Sequence, residues 1–230
     1  MTQAGYRQFC PVAMASELLC RRWTMVLLRE LVAGSTRFND LRRGVPKMSP
    51  TLLAQRLREL EEGGVIERRA VPREKGVYEY HLTEAGRDLR TVVEAVGHWG
   101  QKWVESQISL KNLDPSLLMW DMHRNLDPTP LPDRRVVIQF LYPELASTKR
   151  DWWLVVEPRG RVELCWADPG FDIDLYVTTD LRTMTAIWMG LTTVEQSREK
   201  IEFAGEKAIA RTMQIWLGLS PFAATTKRVA

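Results

Sequence analysis

Apolar residues in the first hundred positions recur at helical spacing. Val12 to Leu19 reads as a short apolar helix. From Trp23 to Leu31 the positions Trp23, Val26, Leu27, Glu30 and Leu31 step by three and four, and Gly34 ends the run. Arg37 to Leu41 starts another short helix, closed by Gly44 and Pro46. Ser49-Pro50 is a helix start, with serine at the N-cap and proline at the first helical position. This helix runs to Glu62, where Gly63-Gly64 stops it. Leu53, Leu57 and Leu60 form its apolar face, with Leu52 beside them, and Thr51, Gln55, Arg58 and Glu62 form the opposite stripe. The period then changes to two over residues 65–71 and 77–82, two strands joined by a turn over 72–76. Thr83 caps a long helix from Glu84 to about Ser106, with Leu89, Val92, Val93, Val96, Trp99 and Trp103 on one stripe.

Proline and aspartate break the pattern at residues 112–115 and 126–133. Between them, Ser116 to Asn125 fits a short helix capped by Asp114 or Ser116. Beyond, strands are expected over 134–142, 152–157, 161–166, 173–178 and 200–205, with Pro158-Arg159-Gly160 turning the second into the third. Helices are expected from Asp180 to Met189, around 193–200, and over 206–217. The expected organisation is α+β: a first domain over 1–110, a linker over 111–133, and a second domain over 134–230.

Charge sharpens this division. Residues 1–115 hold 18 Lys/Arg against 14 Asp/Glu, whereas 116–230 hold 14 against 15. Residues 37–73 alone hold 9 against 5, so the basic excess is local. No apolar run approaches the roughly 18 residues that span a bilayer, and the N-terminus lacks the apolar stretch of a signal peptide; a cytoplasmic protein with no membrane partner is expected. Cys10, Cys20 and Cys165 are too scattered for a disulfide framework, and with His81, His98 and His123 far apart no zinc site is expected. No Ser-His-Asp or Cys-His set can be assembled, so neither an enzyme nor a cofactor is expected.

The order helix, helix, short helix, capped helix, basic hairpin, long helix is that of a winged helix-turn-helix. Arg22 to Leu31, Arg37 to Leu41, Ser49 to Glu61 and Tyr80 to Gly86, preceded by Cys10-Pro11-Val12, resemble the HxlR-type transcriptional regulators over roughly residues 8–105. The resemblance implies a homodimer on double-stranded DNA, with dimer contacts from the first and last helices. Thr51, Gln55 and Arg58, with Arg56 next, are the candidates for base edges. Arg37, Ser49, Arg73 and Lys75 are the candidates for phosphates, with Arg42, Arg43 and Lys47 beside them. Arg56 and Arg58 have an alternative use, pairing with Glu59, Glu61 or Glu62 along the helix. Cys10, near Arg7, is either a thiol switch or a structural cysteine.

Residues 135–220 resemble the sterol carrier protein type-2 like domain, through Asp174 to Asp180 and Ile201 to Ala208. That implies an α/β unit whose apolar interior holds a small-molecule effector. Trp152, Trp166, Met184, Trp188, Met213 and Trp216 are the candidate lining, bulky enough to fill the interior instead. Two functions follow: a DNA-binding regulator of an inverted-repeat operator that senses an apolar effector, or a lipid carrier whose winged-helix part mediates protein contacts.

Overall fold

The computed structural model describes residues 5–105, 110–158 and 160–229. The end of the long helix expected at Ser106, Arg159 of the expected turn, and the first four residues lie outside these. The chain divides into two compact units, Met1–Gly97 and His98–Ala230, and the architecture is α+β.

The first unit holds α1 (Pro11–Leu19), α2 (Thr24–Val32), α3 (Phe38–Gly44), α4 (Pro50–Glu62), β1 (Ile66–Ala70) and β2 (Tyr78–Leu82). The long helix α5 (Glu84–Trp103) begins in it and ends past the division. β1 and β2 pair antiparallel with Arg68 opposite Tyr80, and the chain at Thr36 joins the sheet where Tyr80 N–H donates to its carbonyl at 2.8 Å. This is a winged helix. Its core is a cluster of Leu27, Leu28, Leu31, Leu41, Leu53, Leu57, Leu60 and Ile66. Each buried leucine contributes roughly 1.5–3 kcal/mol. The helix expected from Trp23 starts one residue later, because Trp23 lies in the left-handed region at φ 78°; its ring packing against the core offsets a cost of about 1–2 kcal/mol.

The second unit opens with α6 (Pro115–Asn125), capped by Asp114, whose carboxylate accepts from Ser116 N–H at 3.0 Å. Residues 111–133, expected as a linker, are instead part of this unit's core, where Leu118, Met119, Met122 and Leu126 are buried. Their burial follows from removing apolar surface from water, which a free linker would forgo. Then come β3 (Val136–Leu141), a one-turn α7 (Ser147–Arg150), β4 (Asp151–Val156), β5 (Val162–Cys165), β6 (Leu175–Thr178) and α8 (Leu181–Trp188). A 3-10 turn (Arg198–Lys200), β7 (Glu202–Gly205), α9 (Lys207–Arg211) and α10 (Met213–Trp216) complete it.

The strands form one sheet in the order β5-β4-β3-β6-β7, with β3 and β6 parallel and the other pairs antiparallel. Period-2 alternation sends Ile138, Phe140, Trp152, Leu154, Leu175 and Val177 into the main core. Val137, Trp153 and Val155 form a smaller cluster, at the alternate positions that point to the opposite face.

Two expected helices differ. Around 193–200, Thr193 and Gln196 close on each other through side chain to backbone bonds of 3.1 Å each way, leaving a turn before the 3-10 residues. The expected helix over 206–217 breaks at Thr212. Its hydroxyl bonds back to the Ile209 carbonyl at 3.2 Å, and Trp216 Nε1 donates to that same carbonyl at 2.8 Å. Such local bonds compete with the helical ladder. Among the described residues, no helix is long and apolar enough to cross a membrane.

At the base of the wing, a Cβ on Gly86 would collide with the Val65 carbonyl oxygen. Backbone cannot swing aside as a side chain can. Gly86→Ala is expected to lower stability by about 3 kcal/mol, the upper range for overpacking. Urea unfolding checks this; an unchanged midpoint contradicts the close approach.

Candidate nucleic-acid interface

The interface is built on α4. Ser49 Oγ accepts from Leu52 N–H at 3.3 Å and Pro50 occupies the first turn, so the sequence starts the helix there. Leu53, Leu57 and Leu60, at most 1% exposed, hold one face to the core. Thr51, Gln55 and Arg58 stand exposed on the opposite stripe. Gln55 Nε2 donates to Glu59 Oε1 at 3.0 Å. Arg58 has no ion-pair partner among the described residues and projects from the stripe as an open guanidinium.

Arg56 sits differently. It is half-buried, its Nε donates to the Arg22 carbonyl at 3.0 Å, and its Nη1 meets Glu59 Oε2 at 2.7 Å. Glu59 also pairs with Arg21 at 3.2 Å. Arg56 therefore ties α4 to the α1–α2 corner. Burial pushes the Glu59 carboxyl up, but hydrogen bonds from Gln55 and Arg21 and the Arg56 charge outweigh it and leave it below the usual range. The spacing of Arg56 and Glu59 was visible in the sequence as a helical pair; Arg21 and the Arg22 carbonyl, 34 and more residues away, were not.

The wing completes the surface. Arg73, at φ 70°, and Lys75 are exposed in the turn between β1 and β2. Arg37 is braced to that turn, with Nη2 on Glu74 at 2.8 Å and Nε on Glu79 at 3.4 Å. The Glu74 hydrogen bond is the main reason its guanidinium holds its proton more tightly than usual. Arg42 and Lys47 are exposed around α3, and Arg43 pairs with Asp40 at 3.0 Å. A buried pair missed in the sequence lies behind them. Glu30, 0% exposed, takes Arg29 at 2.5 Å, and Arg29 Nη2 also donates to the Gly44 carbonyl at 2.9 Å, fastening α2 to α3.

Cys10 is exposed at the start of α1. Backbone N–H groups of Ala13, then Val12, hold its thiol below the ordinary range.

In the second unit, Trp152, Met184, Met213 and Trp216 come together in the main core, with Trp188 packed against it. Met184, Met213 and Trp216 are fully buried, and Trp216 meets Phe140 edge to face at 6.4 Å. Trp166 is not among them: it stands 62% exposed. It follows the last residue of the edge strand β5, beyond the run whose alternation would carry it into the core.

Residues 18–108 match the HxlR-like helix-turn-helix family. The uncharacterized HTH-type transcriptional regulator YdeP of Bacillus subtilis (strain 168) is 38% identical over 94 residues, 41% of this chain and 73% of its own. The chain belongs to the HxlR-like family. A second relative from the same organism, the uncharacterized HTH-type transcriptional regulator YvaP, is 31% identical over 43% of this chain and 92% of its own. The solved structure of the redox regulator HypR in its reduced form shares 33% identity over 40% of this chain and 91% of that one, with a TM-score of 0.38. This HxlR-like chain is a transcriptional regulator of winged-helix type, and α3, α4 and the wing lie within the matched residues.

The Glu59 knot gives a signed pH effect. A depressed carboxyl stabilises above its unfolded value, about 4.3, and that contribution disappears as pH falls through the folded one. Glu59→Gln is expected to lose about 1–2 kcal/mol at pH 7, with the gap to wild type closing below pH 4. Denaturation at both pH values checks this; a constant gap contradicts the charged knot.

Proposed function

We propose that this regulator works as a homodimer that reads an inverted-repeat operator in double-stranded DNA. The observation that carries it is the division of α4 into a buried leucine face and an exposed polar face, Thr51, Gln55 and Arg58. A helix held this way can enter a major groove and keep its core intact. Arg58 and Gln55 suit base edges, because guanidinium and amide groups make paired contacts there. Arg73 and Lys75 at the wing tip suit phosphates or the neighbouring groove, as does Ser49 at the start of α4. Arg37 and Arg56 reach DNA in this reading only by leaving their carboxylates; otherwise they position the wing and α4.

The dimer reading rests on a second surface. On α5, Val92, Val96, Trp99 and Trp103 are exposed at steps of four, three and four, and Phe9, Val12 and Met14 are exposed around α1, whose helix buries no residue. A stripe of this size in water marks an interaction face, and a second copy of the same helices covers it. Two recognition helices then stand about 34 Å apart, one turn of DNA. The second unit, sterol-carrier-like by resemblance, is read as the effector-sensing part. An apolar effector there has to displace packed methionine and tryptophan side chains; the partly exposed Trp188, whose buried Nε1 has no partner among the described residues, is the group its acceptor would meet.

Fluorescence anisotropy with the protein's own upstream DNA, against scrambled DNA across a salt series, tests the DNA reading. A preference with steep salt dependence is expected. Arg58→Ala is expected to cost roughly 1–3 kcal/mol of that preference, and Arg73→Ala to lower the salt slope by about 1 with the preference kept. Absence of binding at low salt removes the proposal. For the dimer, sedimentation of Trp99→Glu is expected to give a folded monomer where wild type is a dimer; a monomeric wild type overturns it.

A further inference from the structure

The exposed stripe of α4 carries one amide, Gln55, whose two ends are not free to trade places. Gln55 Nε2 donates to Glu59 Oε1 at 3.0 Å, one helical turn on. Glu59 is itself clamped: Arg21 Nη1 lies 3.2 Å from the same oxygen, and Arg56 Nη1 lies 2.7 Å from Oε2. Both arginines are anchored to backbone, Arg21 Nε on the Glu17 carbonyl at 2.9 Å and Arg56 Nε on the Arg22 carbonyl at 3.0 Å. The Arg56 and Glu59 side chains are only 14% and 16% exposed, so the solvent screens their pairing little. Burial raises the Glu59 carboxyl, but the hydrogen bonds from Gln55 and Arg21 and the Arg56 charge outweigh it, so the group is ionised at neutral pH. An ionised carboxylate only accepts. A flipped Gln55 would set its carbonyl oxygen against Glu59 Oε1, acceptor on acceptor, and lose the bond.

The fixed amide selects among bases. An amide nitrogen carries two N–H bonds, so one donation to Glu59 leaves one N–H and the oxygen Oε1 open. A donor and an acceptor side by side match adenine in the major groove, where its N6 amino group donates and its N7 accepts. Guanine presents two acceptors there, O6 and N7. A free glutamine meets guanine by turning its nitrogen toward O6; Gln55 loses Glu59 if it turns. Thymine offers an acceptor and a methyl group, and cytosine a single donor, so neither uses both ends of the amide. The carboxylate behind Gln55 is no obstacle to DNA, because two guanidiniums against one carboxylate leave the clamp net positive.

We propose that Gln55 reads an adenine and that Glu59 is the positioning residue that fixes its amide for that base, with the N–H on the Cγ side turned to Glu59 and the N–H beside Oε1 on adenine N7. The inference rests on α4 entering the major groove. The probe is the protein's own upstream DNA as a duplex, bound by the full chain at neutral pH and followed by anisotropy. Each dA is replaced in turn by 7-deaza-dA, which lacks the N7 acceptor, and each A·T pair by G·C. One dA in each half-site is expected to weaken binding about tenfold as G·C and about threefold or more as 7-deaza-dA. Gln55→Ala, at an exposed position, is expected to abolish both penalties there and keep those elsewhere. Glu59→Gln, whose amide can face Gln55 with either end, is expected to cut the G·C penalty there to about twofold, with the other positions and the salt slope kept and folding verified by circular dichroism. Absence of DNA binding at low salt overturns the DNA reading and this inference with it. Binding in which no dA responds to Gln55→Ala overturns the adenine assignment alone and leaves the DNA reading standing. An unchanged G·C penalty in Glu59→Gln overturns the positioning role, as does an equal loss at every position, which a merely structural role gives.

Discussion

The leucine face of α4 is the constraint on which the DNA-reading half depends. Leu53, Leu57 and Leu60 are buried with Leu27, Leu28 and Leu41, so α4 cannot turn about its axis without exposing them. Turning it by a quarter would bring the leucines toward water and Arg58 toward the core, at a cost of several kcal/mol. The polar stripe faces outward because the apolar stripe cannot. Arg56 and Glu59 add a directional tie at the flank, fixing α4 to the Arg21–Arg22 corner. Hydrophobic burial sets which face points out, and hydrogen bonds set the register along it.

The same division of labour appears at α3 and the wing. Leu41 is buried, while Arg29, Glu30 and the Gly44 carbonyl form a knot that only a glycine permits, since a Cβ at Gly44 would fall on the Glu30 carboxylate. At the wing, Arg37 reaches Glu74 and Glu79 across about forty residues. These charges resemble DNA contacts when read one residue at a time. Folded, they are partly neutralised by their neighbours, which leaves Arg58, Arg73 and Lys75 as the more open cations. Exposed ion pairs of the Arg37 kind are worth little in water, about 0–1 kcal/mol, so a phosphate can compete for them.

In the second unit the central parallel pair does the organising. Ile138, Phe140, Leu175 and Val177 are buried on one face of it, and the connections leave its carboxyl end in opposite directions. The apolar interior is filled because tryptophan and methionine occupy it, Trp216 against Phe140 and the Tyr142 hydroxyl on Met119 Sδ at 3.2 Å. Burial pushes that phenol far above its usual range, with Glu144 adding to the effect.

Much of this was legible in the sequence, and the reason is local. Ser49-Pro50 and Gly63-Gly64 bound α4 through caps that act within four residues, and its leucine period names its buried face. Val136, Ile138 and Phe140, every second residue, name the strand over 134–142 in the same way. The α+β class, the winged order and the exposed Thr51, Gln55 and Arg58 all rest on such short-range signals. What the sequence left open depends on distance along the chain. Whether Arg56 meets a base or the Arg22 carbonyl, whether residues 111–133 swing free or pack as α6, and whether Trp166 enters the core are decided by partners tens of residues away. Periodicity says which face is buried, never against what. Only folding brought Glu144, Thr179 and Glu202 together, because the parallel pair sets the carboxyl ends of β3 and β6 side by side and antiparallel β7 lays Glu202 opposite Thr178.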